Sequence, residues 1–104
     1  MATVKITPSA ESDLEKIFEY ISESNMDSAI RLLKALGQKF DLLAENPKLG
    51  KPQDNFIVNL RTFFHKKYTI FYFPIENGVE IYRVIHGARN IEAIFEDFFE
   101  GLKP

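Results

Sequence analysis

The sequence predicts an α+β fold with the element order β-α-α-β-β-β-α. Three observations predict it. Apolar residues recur at helical spacing in two runs, over 10–21 and 29–43. The period then switches to two in a meander over 59–85, with an Asn-Gly turn signal inside it. A last apolar run over 91–99 returns to helical spacing. Segregated helices and consecutive hairpin-linked strands give α+β rather than alternating α/β.

The elements follow in order. Thr3-Val4-Lys5-Ile6-Thr7 alternates and is β-branched, so it reads as a short strand. Thr7-Pro8 fits a helix N-cap followed by proline in the first turn. Ala10, Leu14, Ile17, Phe18 and Ile21 then paint one helical face. Glu11, Asp13 and Glu15 suit the positive end of the helix dipole. Residues 22–25 are a polar break.

Ala29, Leu32, Leu33, Leu36, Phe40 and Leu43 form a second stripe, and Asn46-Pro47 ends it. Gly37 interrupts that helix, either facing outward or permitting a close helix approach. Residues 47–56 carry Gly50, Pro52 and Asp54-Asn55 without a period and read as a loop. Residues 59–64 form one strand, and His65-Lys66-Lys67 a polar turn. Residues 68–73 form a second strand, apolar on both faces and hence central. Asn77-Gly78 supplies positive φ angles to the next turn, and 79–85 is the third strand of the meander. Gly87 stops it. Asn90 caps a short terminal helix carrying Ile91, Ala93, Ile94, Phe95, Phe98 and Phe99.

With 104 residues, one domain spanning 1–104 is expected. Hydrophobic residues are 45% and charged residues 27%, which excludes a disordered chain. Cysteine is absent, so disulfides, thiolate nucleophiles and thiolate zinc sites are excluded. No apolar stretch approaches the ~20 residues of a membrane span, and no signal core opens the chain. A cytoplasmic protein without metal or cofactor is expected.

The net charge is −2, with no overall basic footprint for nucleic acid. Its distribution is uneven. Residues 59–89 hold Arg61, Lys66, Lys67, Arg83 and Arg89 against Glu76 and Glu80. Acidic stretches lie on both sides. This is either a solvated surface or a patch offered to an acidic partner.

Motifs for chemistry are few. There is no Gly-x-Ser-x-Gly elbow and no glycine-rich phosphate loop. Glu11 and Glu15 are explained by solvation on a helix surface. Arg61 and Arg83 stand inside apolar strands, where each either shields an aromatic neighbour with its alkyl stem or finds a partner. His86-Gly87-Ala88-Arg89 lies where a strand ends and a helix begins. It is either an anion site at the helix N–H groups or a turn in which Gly87 supplies the unusual angle. His65 and His86 with Arg61, Arg83 and Arg89 are the residue types that metal-free RNA cleavage requires, but such a set is not specific.

The element order carries three further strings: Thr-Pro-Ser-Ala-Glu-Ser-Asp-Leu at the first helix, Tyr-Thr-Ile-Phe-Tyr in the meander, and Tyr-Arg-Val-Ile-His-Gly-Ala-Arg-Asn-Ile after the hairpin. Over nearly the whole chain this resembles the ParE/RelE superfamily of toxins, and the last string resembles the ParE, or plasmid-stabilisation, branch. The resemblance implies a small curved antiparallel sheet with an N-terminal helical hairpin packed on it and a short C-terminal helix. It also implies the toxin half of a type II toxin–antitoxin pair. ParE-type toxins poison DNA gyrase, whereas RelE-type toxins cut mRNA in the ribosome.

Residue by residue, the resemblance favours the binder. RelE-like enzymes have lysines where this chain has Ile57 and Asn59, an arginine at the position of Thr69, and a tyrosine at that of Phe95. Only the arginine matched by Arg89 is kept. Phenylalanine transfers no proton, and Ile57, Asn59 and Thr69 offset no phosphorane charge. The expectation is a toxin that inhibits gyrase by binding, held by a cognate antitoxin in a heterotetramer or larger complex, with nucleic acid bound only through the antitoxin. Arg61, Arg83, His86 and Arg89 are the expected partner-facing residues, and no residue is assigned as catalytic. The alternatives are a RelE-like ribosome-dependent mRNA endoribonuclease using Arg89 and His86, or a degenerate non-toxic homologue that keeps only antitoxin binding.

Overall fold

The computed structural model describes residues 2–87 together with Phe95 and Glu96. It contains β1 (Thr3–Ile6), α1 (Pro8–Ser22), α2 (Met26–Glu45), β2 (Lys51–Pro52), β3 (Arg61–His65), β4 (Tyr68–Ile75) and β5 (Gly78–His86). The strands form one sheet in the order β1-β5-β4-β3-β2, with the two helices packed on one face. The expected α+β hairpin-on-sheet arrangement is present.

Both helices begin as their sequences dictate. The Thr7 hydroxyl accepts from Ala10 N at 3.1 Å and donates to the Tyr82 carbonyl at 2.8 Å. One side chain thus caps α1 and ties it to β5. Asn25 caps α2 through Oδ1, which accepts from Ser28 N at 3.0 Å. A Cβ on Gly37 would meet nothing within 4 Å, so this glycine faces open space and serves no close helix approach.

The sheet departs from the expected antiparallel form in one respect: β1 runs parallel to β5, pairing Thr3 with Gly78 through Ile6 with Ile81. The sheet is therefore mixed. The meander β3-β4-β5 is antiparallel as expected. Residues 47–56 also contain a two-residue strand, β2, which pairs Lys51 with Thr62 and Pro52 with Arg61. Two residues are too short to show a period.

The turns are shifted from their expected places. The β3–β4 turn is Lys66-Lys67, with Lys66 at φ 54°, and His65 belongs to β3. The next turn is Glu76-Asn77, with Asn77 at φ 61°. Gly78 lies beyond it, at the start of β5, and its φ is not positive. It is required for another reason: a Cβ there would collide with the backbone carbonyl of Thr3. The Asn-Gly pair thus sets the turn with its first residue and admits β1 with its second.

Strand β4 is central and apolar on both faces, as its sequence predicts. Ile70 and Tyr72 face the helices and join Ala10, Leu36, Phe40, Leu43, Val79, Ile81 and Val84 in the main core. Phe71 and Phe73 face the other way, where Phe71 joins Ile57, Leu60 and Phe95. A β-bulge between the Phe71–Arg83 and Tyr72–Ile81 pairs leaves Tyr82 as the extra residue of β5. The expected terminal helix lies outside the described residues. Phe95, its expected apolar member, is fully buried in the second core.

The two glycines predict opposite responses. Gly78→Ala should lower stability by roughly 1–3 kcal/mol, because β1 must move away from β5. Gly37→Ala should raise it by about 0.5–1 kcal/mol, because it restricts the unfolded chain at no steric cost. Urea unfolding midpoints of the two variants check both signs.

Candidate functional site

Of the expected partner-facing residues, the three described, Arg61, Arg83 and His86, each have different contacts. Arg83 lies on β5 and makes a two-point ion pair with Asp13 of α1: Nε donates to Oδ2 at 2.7 Å and the second terminal nitrogen to Oδ1 at 3.0 Å. Val84 N also donates to Asp13 Oδ2, at 3.0 Å. Both side chains are largely covered, with 25% and 11% of their surfaces exposed. Arg83 therefore has the partner that an arginine in an apolar strand requires.

The reason is the geometry of the sheet edge. Strand β1 covers β5 only from Gly78 to Ile81. Beyond it, the polar backbone of β5 needs other partners. Thr7 N donates to the Ile81 carbonyl at 3.1 Å, the Thr7 hydroxyl takes that of Tyr82, and the Asp13 carboxylate takes the Val84 N–H. Sequence reading assigned Asp13 only to the helix dipole. The missed signal is its spacing, three residues after Ala10 and one before Leu14, which places it beside the inward stripe of α1.

Arg61 is half-buried on β3. Its first terminal nitrogen donates to the carbonyls of Lys48 at 2.9 Å and Gly50 at 2.6 Å. Tyr72, its register partner on β4, works on the same loop. The Tyr72 hydroxyl donates to the Pro47 carbonyl and accepts from Gly50 N, both at 2.8 Å. A Cβ on Gly50 would lie 2.5 Å from that hydroxyl oxygen, so this position excludes a side chain. Burial pushes the Tyr72 hydroxyl pKa above its usual value, while the Gly50 N–H and the Arg61 charge act in the opposite direction. Arg61 and Tyr72 together pin the loop that leads from α2 into the sheet.

His86 is exposed at the end of β5 and meets Tyr68 edge-to-face, with ring centroids 5.3 Å apart. It lines a groove of about 330 Å³ with Lys16, Ile17, Tyr20 and Tyr68. Gly87 follows at φ 85°, so the turn reading of this junction holds at that residue. Arg89 and the helix N–H groups of the anion-site reading lie outside the described residues.

His65 pairs in register with Tyr68, which in turn pairs with His86. A whole strand therefore separates the two histidines. His65 Nε2 is buried without a hydrogen-bond partner. Burial, with Lys39 and Lys66 adding to it, lowers its pKa, so the ring is neutral at neutral pH.

The four positions at which the sequence departs from RelE-like enzymes are occupied by structural side chains. Ile57 packs in the second core. Asn59 adopts φ 71°, so it stands outside β3; its N–H donates to Asp54 Oδ1 at 2.8 Å and its Nδ2 to the Pro74 carbonyl at 3.2 Å. Thr69 is buried, with its hydroxyl donating to the Gly87 carbonyl at 3.2 Å. Phe95 stacks on Tyr82 at 5.0 Å and meets Phe71 and Phe56 edge-on at 5.3 and 5.9 Å. Among the described residues no group of three or more histidines or carboxylates could hold a metal ion, and no helix is long and apolar enough to cross a membrane.

The Asp13 clamp is testable. Asp13→Ala should cost roughly 2–3 kcal/mol, since it strips a charged partner from Arg83 and an acceptor from Val84 N. Asp13→Asn, which keeps an acceptor oxygen, should lose less. Denaturant titration of the two variants measures both.

Residues 4–91 match the model of the family described as ParE toxin of type II toxin–antitoxin system, parDE. Toxin ParE1 of Caulobacter vibrioides is 27% identical over 89% of this chain and 97% of its own length. Toxin ParE1 of Mycobacterium tuberculosis is 26% identical over 84% of this chain and 91% of its own. Among solved structures, a chromosomal ParDE system from P. aeruginosa superposes with TM-score 0.69 at 16% identity, covering 85% of this chain and 98% of that one. The toxin–antitoxin complex RelBE2 from Mycobacterium tuberculosis gives TM-score 0.62 at 26% identity, covering 85% and 93%. On its sequence, from the first strand through the end of the meander, the chain belongs to the ParE toxin family of type II toxin–antitoxin systems.

Proposed function

We propose that this ParE-family toxin acts by binding DNA gyrase, not by cutting RNA, and that a cognate antitoxin neutralises it in the cytoplasm, as in a plasmid-stabilisation module. One observation carries the reading. Ile57, Asn59, Thr69 and Phe95 are all committed to packing or to backbone hydrogen bonds, which leaves no cation or proton donor at those positions for phosphoryl chemistry.

Antitoxin binding is supported by surface chemistry. Tyr20, Met26 and Ile30 of the helical hairpin are 78%, 52% and 52% exposed, unusual for side chains of this size. They suit the apolar anchors of a partner segment. Exposed Lys66 and Lys67, together with Arg61 and His86, suit its acidic residues. Arg83 is a weaker candidate than its sequence position implies, because Asp13 already offsets its charge. Arg89 remains a candidate on sequence alone, and the proposed assembly is a heterotetramer or larger.

The similarity to a RelBE2 complex favours a second reading, ribosome-dependent mRNA cleavage. A gyrase supercoiling assay with the purified, antitoxin-free chain tests the first. Blocked supercoiling or accumulation of cleaved DNA is the expected result. Uninhibited gyrase at micromolar concentrations of folded toxin would overturn it. Absence of growth inhibition on expression without antitoxin would instead identify a degenerate homologue.

A further inference from the structure

We propose that Arg61 presents a built carboxylate-binding fork, and that it receives an acidic side chain of the partner segment at the end of α2. A guanidinium has two usable edges. In Arg61 the first terminal nitrogen is fully engaged, donating to the carbonyls of Lys48 and Gly50. The other edge, formed by Nε and the second terminal nitrogen, makes no hydrogen bond among the described residues. That is the edge with which Arg83 grips Asp13 in this same molecule. The tethered nitrogen fixes the plane of the guanidinium, so little rotamer entropy remains to be lost when a carboxylate docks.

The fork lines a groove of about 510 Å³ with Asn46, Pro47, Lys48, Leu49, Asn59 and Pro74. Among the described residues no acidic side chain lines it, and Lys48 adds a second positive charge. Pro47, Leu49 and Pro74 supply an apolar wall, and Leu49 is 49% exposed. An apolar residue next to a glutamate or aspartate fits this combination. A nucleic-acid phosphate backbone fits it less well, because two cations in a chain of net charge −2 give little electrostatic footprint. The identity of the partner as an antitoxin rests on the toxin–antitoxin reading above, whereas the carboxylate chemistry of the groove does not.

The test is a titration of the full chain with a short, terminally blocked peptide of alternating leucine and glutamate, followed through the Arg61 Nε–H resonance. The expected result is a saturable shift of that resonance, with no shift for the leucine–glutamine counterpart. Lys48→Glu should weaken binding about tenfold while leaving the unfolding midpoint unchanged, since only the Lys48 backbone carbonyl takes part in the tether. Equal shifts with both peptides, or an unmoved Arg61 resonance, would overturn the site. A shift produced by oligothymidylate but not by the glutamate peptide would also overturn it, in favour of phosphate. The titration is independent of gyrase, so a chain that binds the peptide but spares gyrase loses the proposed function and keeps this one.

Discussion

Strand β5 is nine residues long and β1 only four, so half of one flank of β5 has no strand beside it. Polar backbone left there would be an edge open to water or to another chain. The helical hairpin closes it with side chains. The Thr7 hydroxyl takes the Tyr82 carbonyl, beside the Ile81 carbonyl held by the Thr7 N–H, and the Asp13 carboxylate takes the Val84 N–H while holding the Arg83 guanidinium. The same two residues fix where α1 starts and how it lies across the sheet. The main core, in which Ala10 and Leu36 meet Ile70 and Val84, depends on that placement.

A second constraint acts at the opposite side of the sheet. The chain must pass from the end of α2 to β2 in a short loop, and Tyr72 and Arg61 hold that loop by its backbone. Basic residues in the meander are therefore not one undivided patch. Arg83 is neutralised within the fold, Arg61 is half-used, and Lys66 and Lys67 are exposed at a hairpin tip. A charge count along the sequence treats these residues as equivalent, while their hydrogen bonds separate them.

Most of the fold was legible because its signals are local. Thr7-Pro8 marks a helix start by capping chemistry, and the two-faced apolar run over 68–73 marks a central strand by burial. What was not legible depends on pairs distant in sequence. Parallel addition of β1 to β5 joins residues 3–6 to 78–81, and nothing local reports it. The role of Gly78 was misassigned for the same reason: the turn explains an Asn-Gly pair, and only the approach of Thr3 shows why the glycine is needed. The site was legible in part. That Arg83 needs a partner followed from its place among apolar neighbours, but Asp13 lies 70 residues away. Tyr72 gave no sequence sign of its loop contacts beyond being a tyrosine in a buried strand.

Whether the molecule acts by binding or by cleavage turns on the second core. Phe95 is enclosed by Phe71, Tyr82 and Phe56 where RelE-like enzymes carry a tyrosine hydroxyl. Adding the purified chain to ribosomes programmed with a defined mRNA, and mapping the mRNA ends, tests this most directly. Intact mRNA from a preparation that arrests growth in cells is the result expected of a binder. Codon-dependent cleavage that disappears in folded His86→Ala or Arg89→Ala protein would contradict it.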